Sequence, residues 1–416
     1  MLTSEEAARR LGVKVATLYA YVSRGLVESH PAPVGRGSVF ALADVEALAD
    51  RSRGGRRTEM RLATVTTSVT QLRPGDGPCY RGRPAVELAG RVPFEDVCAL
   101  LWEAEGDKGD WSAPDLGPCP VATTADALRW ALVLVGATDP LRSDLRPVSV
   151  TRAARRVVAA LVDAVSTGSV GSAGAGSAGA GSAGDLRTGG AARETTGGTV
   201  ACCLADHLVG GSAPVGVADA VDAALVLMAD HELATSTMAV RMAASVRADL
   251  YDALAAGLAT LAGPLHGGAS QGAYELLVVA ERDGASRALT DVLREQGHLP
   301  GFGHRVYADG DPRVPPLLAS TFPLLDDERR ALVDEVLAVA AAAGVPAPNA
   351  DLAIAVLAWG TGMASDAGRT ISSVARVAGW TAHYLEELGE RPLRFRGRAV
   401  YGTPPGRPSS WSTDRP

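Results

Sequence analysis

The apolar and polar pattern at the start of the chain predicts two short helices. Thr3 has the side chain of a helix N-cap, and Glu6 follows three residues later, which is the spacing of a capping box. The apolar residues after them lie one helical turn apart, and Gly12 is expected to end this helix. A second stretch of helical spacing runs over 15–24 and stops at a glycine. Two helices joined by a short glycine turn are typical of a helix-turn-helix.

The residues that follow predict a wing and a closing helix. Apolar residues and glycines over 34–40 favour two short strands and a turn, and 44–51 has the spacing of one more helix. Residues 51–57 contain four arginines and are predicted to be a basic linker. We therefore expect residues 1–57 to form a separate winged helix-turn-helix module.

Beyond this module the pattern is mainly helical. Aromatic residues make up only 5% of the chain, while alanine, leucine and valine are abundant, which suits closely packed helices. One β-branched run at 63–70 is followed by a Pro/Gly turn and predicts a short strand. The predicted fold class is mainly α. Helices are expected at 94–105, 125–136, 149–165, 200–210, 218–228 and 322–342.

Two segments lack the apolar residues that a packed core requires. Residues 167–198 consist largely of Gly, Ser and Ala repeats, a composition typical of a flexible insert. The tail at 404–416 is rich in proline and serine and is expected to be disordered. We expect no chemistry from either segment.

The composition indicates a soluble globular protein with two or three domains. Of the 416 residues, 47% are hydrophobic and 21% are charged. No apolar stretch approaches the roughly twenty residues that span a membrane, and no secretion signal is evident, so we expect a cytoplasmic protein. The five cysteines are odd in number and show no CxxC spacing. Reduced thiols and no structural metal are therefore expected.

Charge is unevenly distributed between the N-terminal module and the rest of the chain. The net charge is −7, yet residues 1–57 carry nine basic and six acidic residues, a net charge of +3. The module resembles the winged helix-turn-helix of the MerR and excisionase families, which implies DNA as a partner. A net charge of +3 is small for a DNA-binding protein, so a docking or vestigial appendage is the alternative. On the resemblance, the residues expected to face DNA are Lys14, Thr17, Tyr19, Arg24 and Arg36.

Two histidines lie among glycines in the second half of the chain. His266 is part of Gly-Pro-Leu-His-Gly-Gly-Ala, and His304 is part of Gly-Phe-Gly-His-Arg-Val-Tyr, with Asp-Pro-Arg ending at Arg313. A single His-Gly pair most simply marks the end of a helix. The repetition of this pattern, together with Asp-Pro-Arg, favours histidines presented on tight turns to a substrate.

Three further residues have both a structural and a functional interpretation. His231 follows a predicted helix, whose C-terminal end stabilises a histidine cation. Asp351, within Asn-Ala-Asp, has the position of an N-cap before an apolar helix. Arg376 lies among small and apolar residues, where an unpaired charge is costly and a carboxylate ligand would satisfy it. The residues themselves do not decide between the structural and the functional interpretation. A resemblance to a known family favours the functional one.

These motifs, in this order, resemble those of the citrate synthase family. The resemblance covers about 62–402 and includes Asp-His-Glu at 230–232, the two histidine motifs, Asn-Ala-Asp at 349–351, the helix of Arg376 and an Arg-rich ending at 394–402. Two departures stand out. Leu352 occupies a position where an aromatic residue often follows the aspartate, and Gly397 replaces a proline, so that either Arg396 or Arg398 matches the family's last arginine.

The resemblance implies a role for each matched residue. Asp351 would be the catalytic base, His266 would stabilise the enol of the thioester, and His304 would polarise the ketone of oxaloacetate. The arginine at 396 would be lent by a partner subunit, which implies a homodimer. Coenzyme A would be a substrate, and neither a metal nor a cofactor is expected. Oxaloacetate would be bound by His231, Arg313, Arg376 and Arg396, and coenzyme A by Arg305, Gly301 and Gly303.

The resemblance also implies a division into domains. The first part of a large helical domain would cover 58–266, a small helical domain 267–356, and the C-terminal part of the large domain 357–403.

Three functions remain open at this point. Condensation of acetyl-CoA with oxaloacetate, followed by hydrolysis of citryl-CoA, is the first. A 2-methylcitrate synthase that uses propionyl-CoA is the second, because one methylene in a pocket changes binding by only about 1–3 kcal/mol. The third is a DNA-binding regulator whose citrate synthase-like body senses a metabolite. Retention of the base at 351 argues against the third, since sensing needs the arginines but not the base.

Overall fold

The computed structural model describes residues 2–11, 13–23, 26–31, 38–41, 45, 65–168, 198–263 and 266–396. The chain divides into two compact units, Met1–Thr66 and Thr67–Pro416. Among the described residues, no helix is both long enough and apolar enough to cross a bilayer.

The first unit contains the two predicted helices. Helix α1 (Ser4–Leu11) begins at the predicted capping box: the Thr3 N–H donates to the Glu6 carboxylate at 2.8 Å, and the Glu6 N–H donates to Thr3 Oγ1 at 3.3 Å. Helix α2 (Val15–Ser23) follows. A small core that includes Ala7, Leu18 and Phe40 joins the helices to the strands.

The wing differs from its predicted position. Strand β3 (Ser38–Phe40) lies between β1 (Leu2–Thr3) and β2 (Ser29–Pro31), and both pairings are antiparallel. The prediction placed both wing strands within 34–40. Strand β3 lies in this range, its partner β2 lies before it, and residues 34–37 are outside the described residues. Most of the predicted closing helix at 44–51, and the linker at 51–57, lie outside the described residues.

The second unit opens with a small antiparallel sheet. Strands β4 (Thr70–Arg73) and β5 (Gly77–Tyr80) form a hairpin, and β6 (Arg83–Pro84) pairs with β5. The strand predicted over 63–70 reaches the sheet only at its last residue. The Ser68 N–H instead donates to the side chain of Glu386 at 2.7 Å, so this stretch is held by a helix rather than by a strand.

The remainder of the unit is helical, which confirms the predicted fold class. The predicted helix over 322–342 is divided, because Pro323 lies in a 3-10 turn (Phe322–Leu324) and Asp326 caps a new helix by accepting the Arg329 N–H at 2.7 Å. The helices are α3 (Ala85–Leu88), α4 (Phe94–Leu101), α5 (Thr124–Thr138), α6 (Pro147–Gly168), α7 (Val200–Val209), α8 (Val217–Met228), α9 (Thr235–Ser245), α10 (Leu250–Leu261), α11 (Ala269–Asp283), α12 (Ala285–Gln296), α13 (Val314–Thr321), α14 (Asp327–Ala342), α15 (Ala350–Gly360) and α16 (Ala367–Leu388).

Two hydrophobic cores hold these helices together. The larger core surrounds α16, which packs against α6, α8, α9 and α10 and buries almost all of its side chains. The smaller core joins α11, α12, α14 and α15. It spans 273–359 and so overlaps most of the region predicted to be the small domain, 267–356. The candidate site residues lie on α15 and α16, in the turn after α8, in the loop between α10 and α11, and in the loop between α12 and α13.

Candidate active site

Three aromatic rings form one face of the candidate site. His231 follows α8, and His304 and Tyr307 lie in the loop between α12 and α13. The ring centroids of His231 and His304 are 5.1 Å apart, and those of His304 and Tyr307 are 4.6 Å apart in a stacked arrangement. Two histidines that are 73 residues apart in sequence therefore lie side by side.

The loop determines which nitrogen of His304 carries the proton. Nδ1 accepts the backbone N–H of Val306 at 3.0 Å and that of Tyr307 at 3.2 Å. A nitrogen that accepts hydrogen bonds carries no proton, so Nε2 is the N–H donor of this ring. Burial, followed by the charge of Arg313, lowers the pKa of His304. The ring is therefore neutral near pH 7 and presents one donor.

His231 has a free ring nitrogen in a buried place. Its Nε2 makes no hydrogen bond with the part of the chain that the structure describes. Burial lowers the pKa of His231 well below its usual range, and the charges of Arg313 and Arg376 add to this effect. The structural alternative, a cation at the end of a helix, does not fit this environment. A neutral ring with an unsatisfied nitrogen suits a bound polar ligand.

His266 lies on a tight turn between α10 and α11. The next residue is Gly267, where a Cβ atom would lie 2.4 Å from the backbone oxygen of Leu261, so only glycine fits here. Nε2 of His266 is 2.9 Å from Oγ of Ser236, a buried residue of α9. Burial, and then the charge of Arg376, lowers the pKa of His266. This histidine is neutral near pH 7 as well.

The two buried arginines near these rings differ in their partners. Arg313 forms a two-point ion pair with Asp311, with Nε–Oδ1 at 3.0 Å and Nη2–Oδ2 at 2.7 Å. Arg376, on α16, is only 5% exposed, and its Nη1 has no hydrogen-bond partner among the described residues. An unsatisfied buried guanidinium is costly unless a ligand pairs with it. Arg376 thus has the environment expected of a carboxylate-binding residue.

Asp351 lies in the first turn of α15 and is not the N-cap. Asn349 is the N-cap, because its side chain accepts the Asp351 N–H at 3.0 Å. The structural interpretation of Asp351 is therefore wrong, and its carboxylate has no capping bond. Burial raises the pKa of Asp351 to about 6, while the charges of Arg313 and Arg376 act in the opposite direction.

The loop of His304 is tied to the start of α15. The Asn349 N–H donates to the Gly301 oxygen at 2.9 Å, and Asn349 Nδ2 donates to the Gly303 oxygen at 2.8 Å. Both glycines have positive φ angles, +81° and +76°. Gly301 also packs directly against Leu352, where a Cβ atom would lie 2.8 Å from that residue's Cβ. The backbone conformation and packing therefore favour glycine at both positions, independently of any binding to coenzyme A.

Comparison with known proteins identifies the family. The family model of the citrate synthase C-terminal domain matches residues 119–397, well over half of the chain. The chain belongs to the citrate synthase family. Its members are enzymes that transfer an acyl group in a condensation reaction. A helix-turn-helix domain model matches residues 1–53, which confirms the predicted N-terminal module.

Individual relatives include both citrate and 2-methylcitrate synthases. The 2-methylcitrate synthase of Mycobacterium tuberculosis is 28% identical over 354 residues, which cover 79% of this chain and 86% of that protein. Citrate synthase 2 of Bacillus subtilis is 34% identical over 194 residues, covering 45% of this chain and 51% of that protein.

A solved structure shares the fold. The ternary complex of the Thermoplasma acidophilum citrate synthase with carboxymethyl coenzyme A and oxaloacetate has a TM-score of 0.61 at 22% identity. The match covers 83% of this chain and 95% of that chain.

Three further residues of the candidate site were not singled out from the sequence. Asp311 and Tyr307 lie inside the His304 motif, and Ser236 lies five residues after His231. Asp311 also accepts the Ala350 N–H at 3.0 Å, so one carboxylate contacts both Arg313 and the start of the Asp351 helix. The Tyr307 hydroxyl is buried and has no partner in the described part of the chain. The sequence feature that could have identified each of them is its position within or close to a motif.

The other predicted residues lie apart from this cluster or are not among the residues that the structure describes. Arg396 is exposed, and no hydrogen bond or ion pair joins it to another described residue. Arg305 is exposed on the His304 loop. In the first unit, Lys14 and Tyr19 are exposed and Thr17 is half-buried. Arg24, Arg36 and Arg398 lie outside the described residues. No group of three potential metal ligands occurs among the residues the structure describes.

Proposed function

We propose that this protein is a citrate synthase that condenses acetyl-CoA with oxaloacetate and hydrolyses the citryl-CoA formed. The observation that carries the proposal is the surroundings of Asp351. Burial raises the pKa of this carboxyl to about 6. The charges of Arg313 and Arg376 act on Asp351 and on the neutral His231, and the charge of Arg313 acts on the neutral His304. A base, neutral donors and anion-binding groups are what this condensation requires.

The first step is removal of a methyl proton from the acetyl group. Asp351 takes the proton, and its raised pKa makes it a stronger base than an ordinary aspartate while leaving it ionised above pH 6. His266 donates a hydrogen bond to the thioester oxygen as the enol forms. If the Ser236 hydroxyl donates to Nε2 of His266, the ring proton lies on Nδ1 and is available for this bond.

The second step is attack of the enol on the ketone of oxaloacetate. Negative charge develops on the ketone oxygen, and the Nε2–H of His304 stabilises and protonates it. His231 contributes its unsatisfied Nε2 to binding. The carboxylates of oxaloacetate bind Arg376, which has no other hydrogen-bond partner among the described residues, and Arg313.

A second copy of the chain completes the proposed site. Arg396 is exposed in the segment after α16 and is available to a neighbouring subunit. Large apolar side chains are also exposed on helices of this unit, including Val133 at 62%, Val148 at 67% and Val246, just after α9, at 57%. We therefore propose a homodimer in which Arg396 reaches the partner's oxaloacetate. Arg305, on the His304 loop, approaches coenzyme A.

The decisive experiment is a steady-state assay of free coenzyme A release with acetyl-CoA and oxaloacetate. We expect turnover by the wild type and its loss in Asp351→Asn, with oxaloacetate still raising the thermal unfolding temperature of the variant. Wild-type protein that binds oxaloacetate but releases no coenzyme A would contradict the proposal.

A 2-methylcitrate synthase is the second candidate function. The similarity to the M. tuberculosis 2-methylcitrate synthase, which extends over 79% of this chain, favours it. The same assay with propionyl-CoA separates the two candidates. A kcat/KM for propionyl-CoA that exceeds the value for acetyl-CoA assigns the chain to 2-methylcitrate synthesis.

For the N-terminal module we propose DNA binding through α2. The match to a helix-turn-helix domain, with Lys14 and Tyr19 exposed on or beside α2, supports this. A gel-shift titration with the DNA upstream of the protein's own coding sequence tests it. Affinity should fall steeply with salt and drop in Lys14→Ala. Salt-independent binding, or none, would favour the docking alternative, and DNA binding without turnover would favour a regulator.

A further inference from the structure

A chain of buried polar side chains leads away from His231 into the large core. Asp230 and His383 are both fully buried, and Oδ2 of Asp230 is 3.2 Å from Nε2 of His383. Nδ1 of His383 is 2.8 Å from Nη1 of Arg241, another fully buried residue. Nε of Arg241 donates to the Glu387 carboxylate at 3.0 Å. We call Asp230, His383, Arg241 and Glu387 the His383 relay.

The chemistry of arginine gives the relay a direction. A guanidinium has donors and no acceptor, so Nδ1 of His383 accepts from Arg241 and carries no proton. The proton of the neutral ring is therefore on Nε2, which donates to Asp230. Arg241 orients His383, and His383 orients Asp230.

One end of the relay is a cluster of carboxylates and guanidinium groups. Arg241 pairs with Glu387 and, through Nη1, with Glu386 at 2.7 Å. The second cation is Arg394, which donates to both oxygens of Glu387, at 2.7 and 2.6 Å. Buried charges are costly unless they are paired or hydrogen-bonded, and each member of the relay makes at least one such bond. Such a network is a rigid support, since removing one member leaves another charge unpaired.

Asp230 connects this support to the turn that carries His231. Its Oδ2 also accepts the Glu232 N–H at 3.1 Å, and Glu232 has a φ of +53°, a left-handed conformation that a glutamate adopts only when it is held. The carboxylate lies against Gly379 of α16, where a Cβ atom would be 2.2 Å from Oδ1. The Gly379 N–H donates to the Ala229 oxygen at 3.0 Å. The His231 turn is thus bound to the helix that carries Arg376.

From this geometry we infer that His383 and Arg241 are positioning residues for oxaloacetate. Through Asp230 they hold the His231 turn against α16, so that His231 and Arg376 keep the separation that one dicarboxylate requires. The inference rests on the proposed function, since it names the substrate of that site. His383 itself does not touch substrate, because both of its nitrogens are engaged within the core.

Substitutions at His383 test the inference. In His383→Gln the amide nitrogen takes the place of Nε2 and keeps the donor to Asp230, whereas in His383→Leu the donor is lost at similar size. We expect His383→Leu to raise the KM for oxaloacetate about tenfold, with the KM for acetyl-CoA within about twofold of wild type. His383→Gln should return to within about threefold of wild type.

Tyr384→Phe is the matched control. Tyr384 is equally buried on the same helix, and its hydroxyl donates to the Ala248 oxygen at 2.7 Å, away from the relay. This variant should lose thermal stability without a change in the KM for oxaloacetate. Should His383→Leu not fold, His383→Asn replaces it. Asparagine is as polar as glutamine but too short to reach Asp230, so it should show the raised KM.

The outcomes separate the relay from the proposed function. The relay is overturned if the KM for oxaloacetate is unchanged in His383→Leu or His383→Asn, or if His383→Gln raises it equally. Turnover by the wild type would uphold the proposed function in either case. Wild-type protein that neither releases coenzyme A nor gains thermal stability with oxaloacetate overturns the function, and the substrate assigned to the relay with it.

Discussion

Asp311 binds Arg313 at two points and contacts the start of the Asp351 helix with the same carboxylate. The ion-pair distances are 3.0 and 2.7 Å, and the bond from the Ala350 N–H is 3.0 Å. Both partners of the ion pair are buried. The proposed oxaloacetate-binding arginine and the proposed base are therefore placed by one side chain.

Asp311→Asn should destabilise the protein strongly. The substitution leaves a buried guanidinium without its counter-charge, and we expect the free energy of unfolding to fall by about 3–5 kcal/mol. Urea unfolding measures this. Asp283→Asn is the control, because Asp283 pairs with the exposed Arg282 at 2.8 Å and should cost at most about 1 kcal/mol. Equal losses in the two variants would show that the Asp311 pair has no special role.

Asp351→Asn should abolish turnover while leaving the fold intact. Asparagine keeps the size of the side chain but has no basicity, so we expect kcat to fall by about two to four orders of magnitude. Release of coenzyme A measures this. Asp326→Asn, at the N-cap of α14, is a control that should keep wild-type kcat. A kcat within tenfold of wild type in Asp351→Asn would assign the base to another residue.

The activity should depend on pH through Asp351. Burial raises the pKa of this carboxyl to about 6, and the base acts only when it is ionised. We expect kcat/KM to be constant above about pH 7 and to fall roughly tenfold per pH unit below pH 6. Thermal unfolding measured at each pH separates this limb from unfolding. An acid limb near pH 4 would mean that Asp351 is not the titrating base.

Arg376→Gln should weaken oxaloacetate binding selectively. Loss of a charged partner for a carboxylate is expected to raise the KM for oxaloacetate by about 10 to 100-fold, with the KM for acetyl-CoA little changed. Arg369→Gln, seven residues earlier on α16, is the control, because Arg369 bonds Gln271 instead. Equal effects on both KM values would indicate a general disturbance of α16.

Stability should depend on pH through Asp222, away from the site. Its carboxylate accepts the Phe94 N–H at 3.0 Å, and burial raises its pKa to about 6. Because the folded pKa exceeds the unfolded one, the stabilising contribution is present at low pH and is lost as pH rises through about 6. Relative to wild type, Asp222→Asn should therefore gain roughly 1–2 kcal/mol between about pH 4.5 and 7.5. Urea unfolding of Asp334→Asn, at an exposed position on α14, should show no such change.

The sequence alone determined the helices and most of the candidate chemistry. Helical spacing, the Thr3 capping box and the glycines around His266 and His304 are local features, and local hydrogen bonds and sterics enforce them. The order of the motifs was enough to indicate the family. Errors of local structure occurred where distant partners intervened, as when Glu386 bound the Ser68 N–H and displaced the start of the strand.

The tertiary structure decided which protonation states and partners those residues have. Asp230 and His383 are 153 residues apart. No local sequence pattern predicts that the carboxylate of Asp230, just after α8, packs against α16. The same holds for the pKa of Asp351, since burial by other helices raises it and residues distant in sequence modulate it. Periodicity reports which side of a helix is buried, but what that side meets depends on packing across the whole chain, and packing sets the charge of each group.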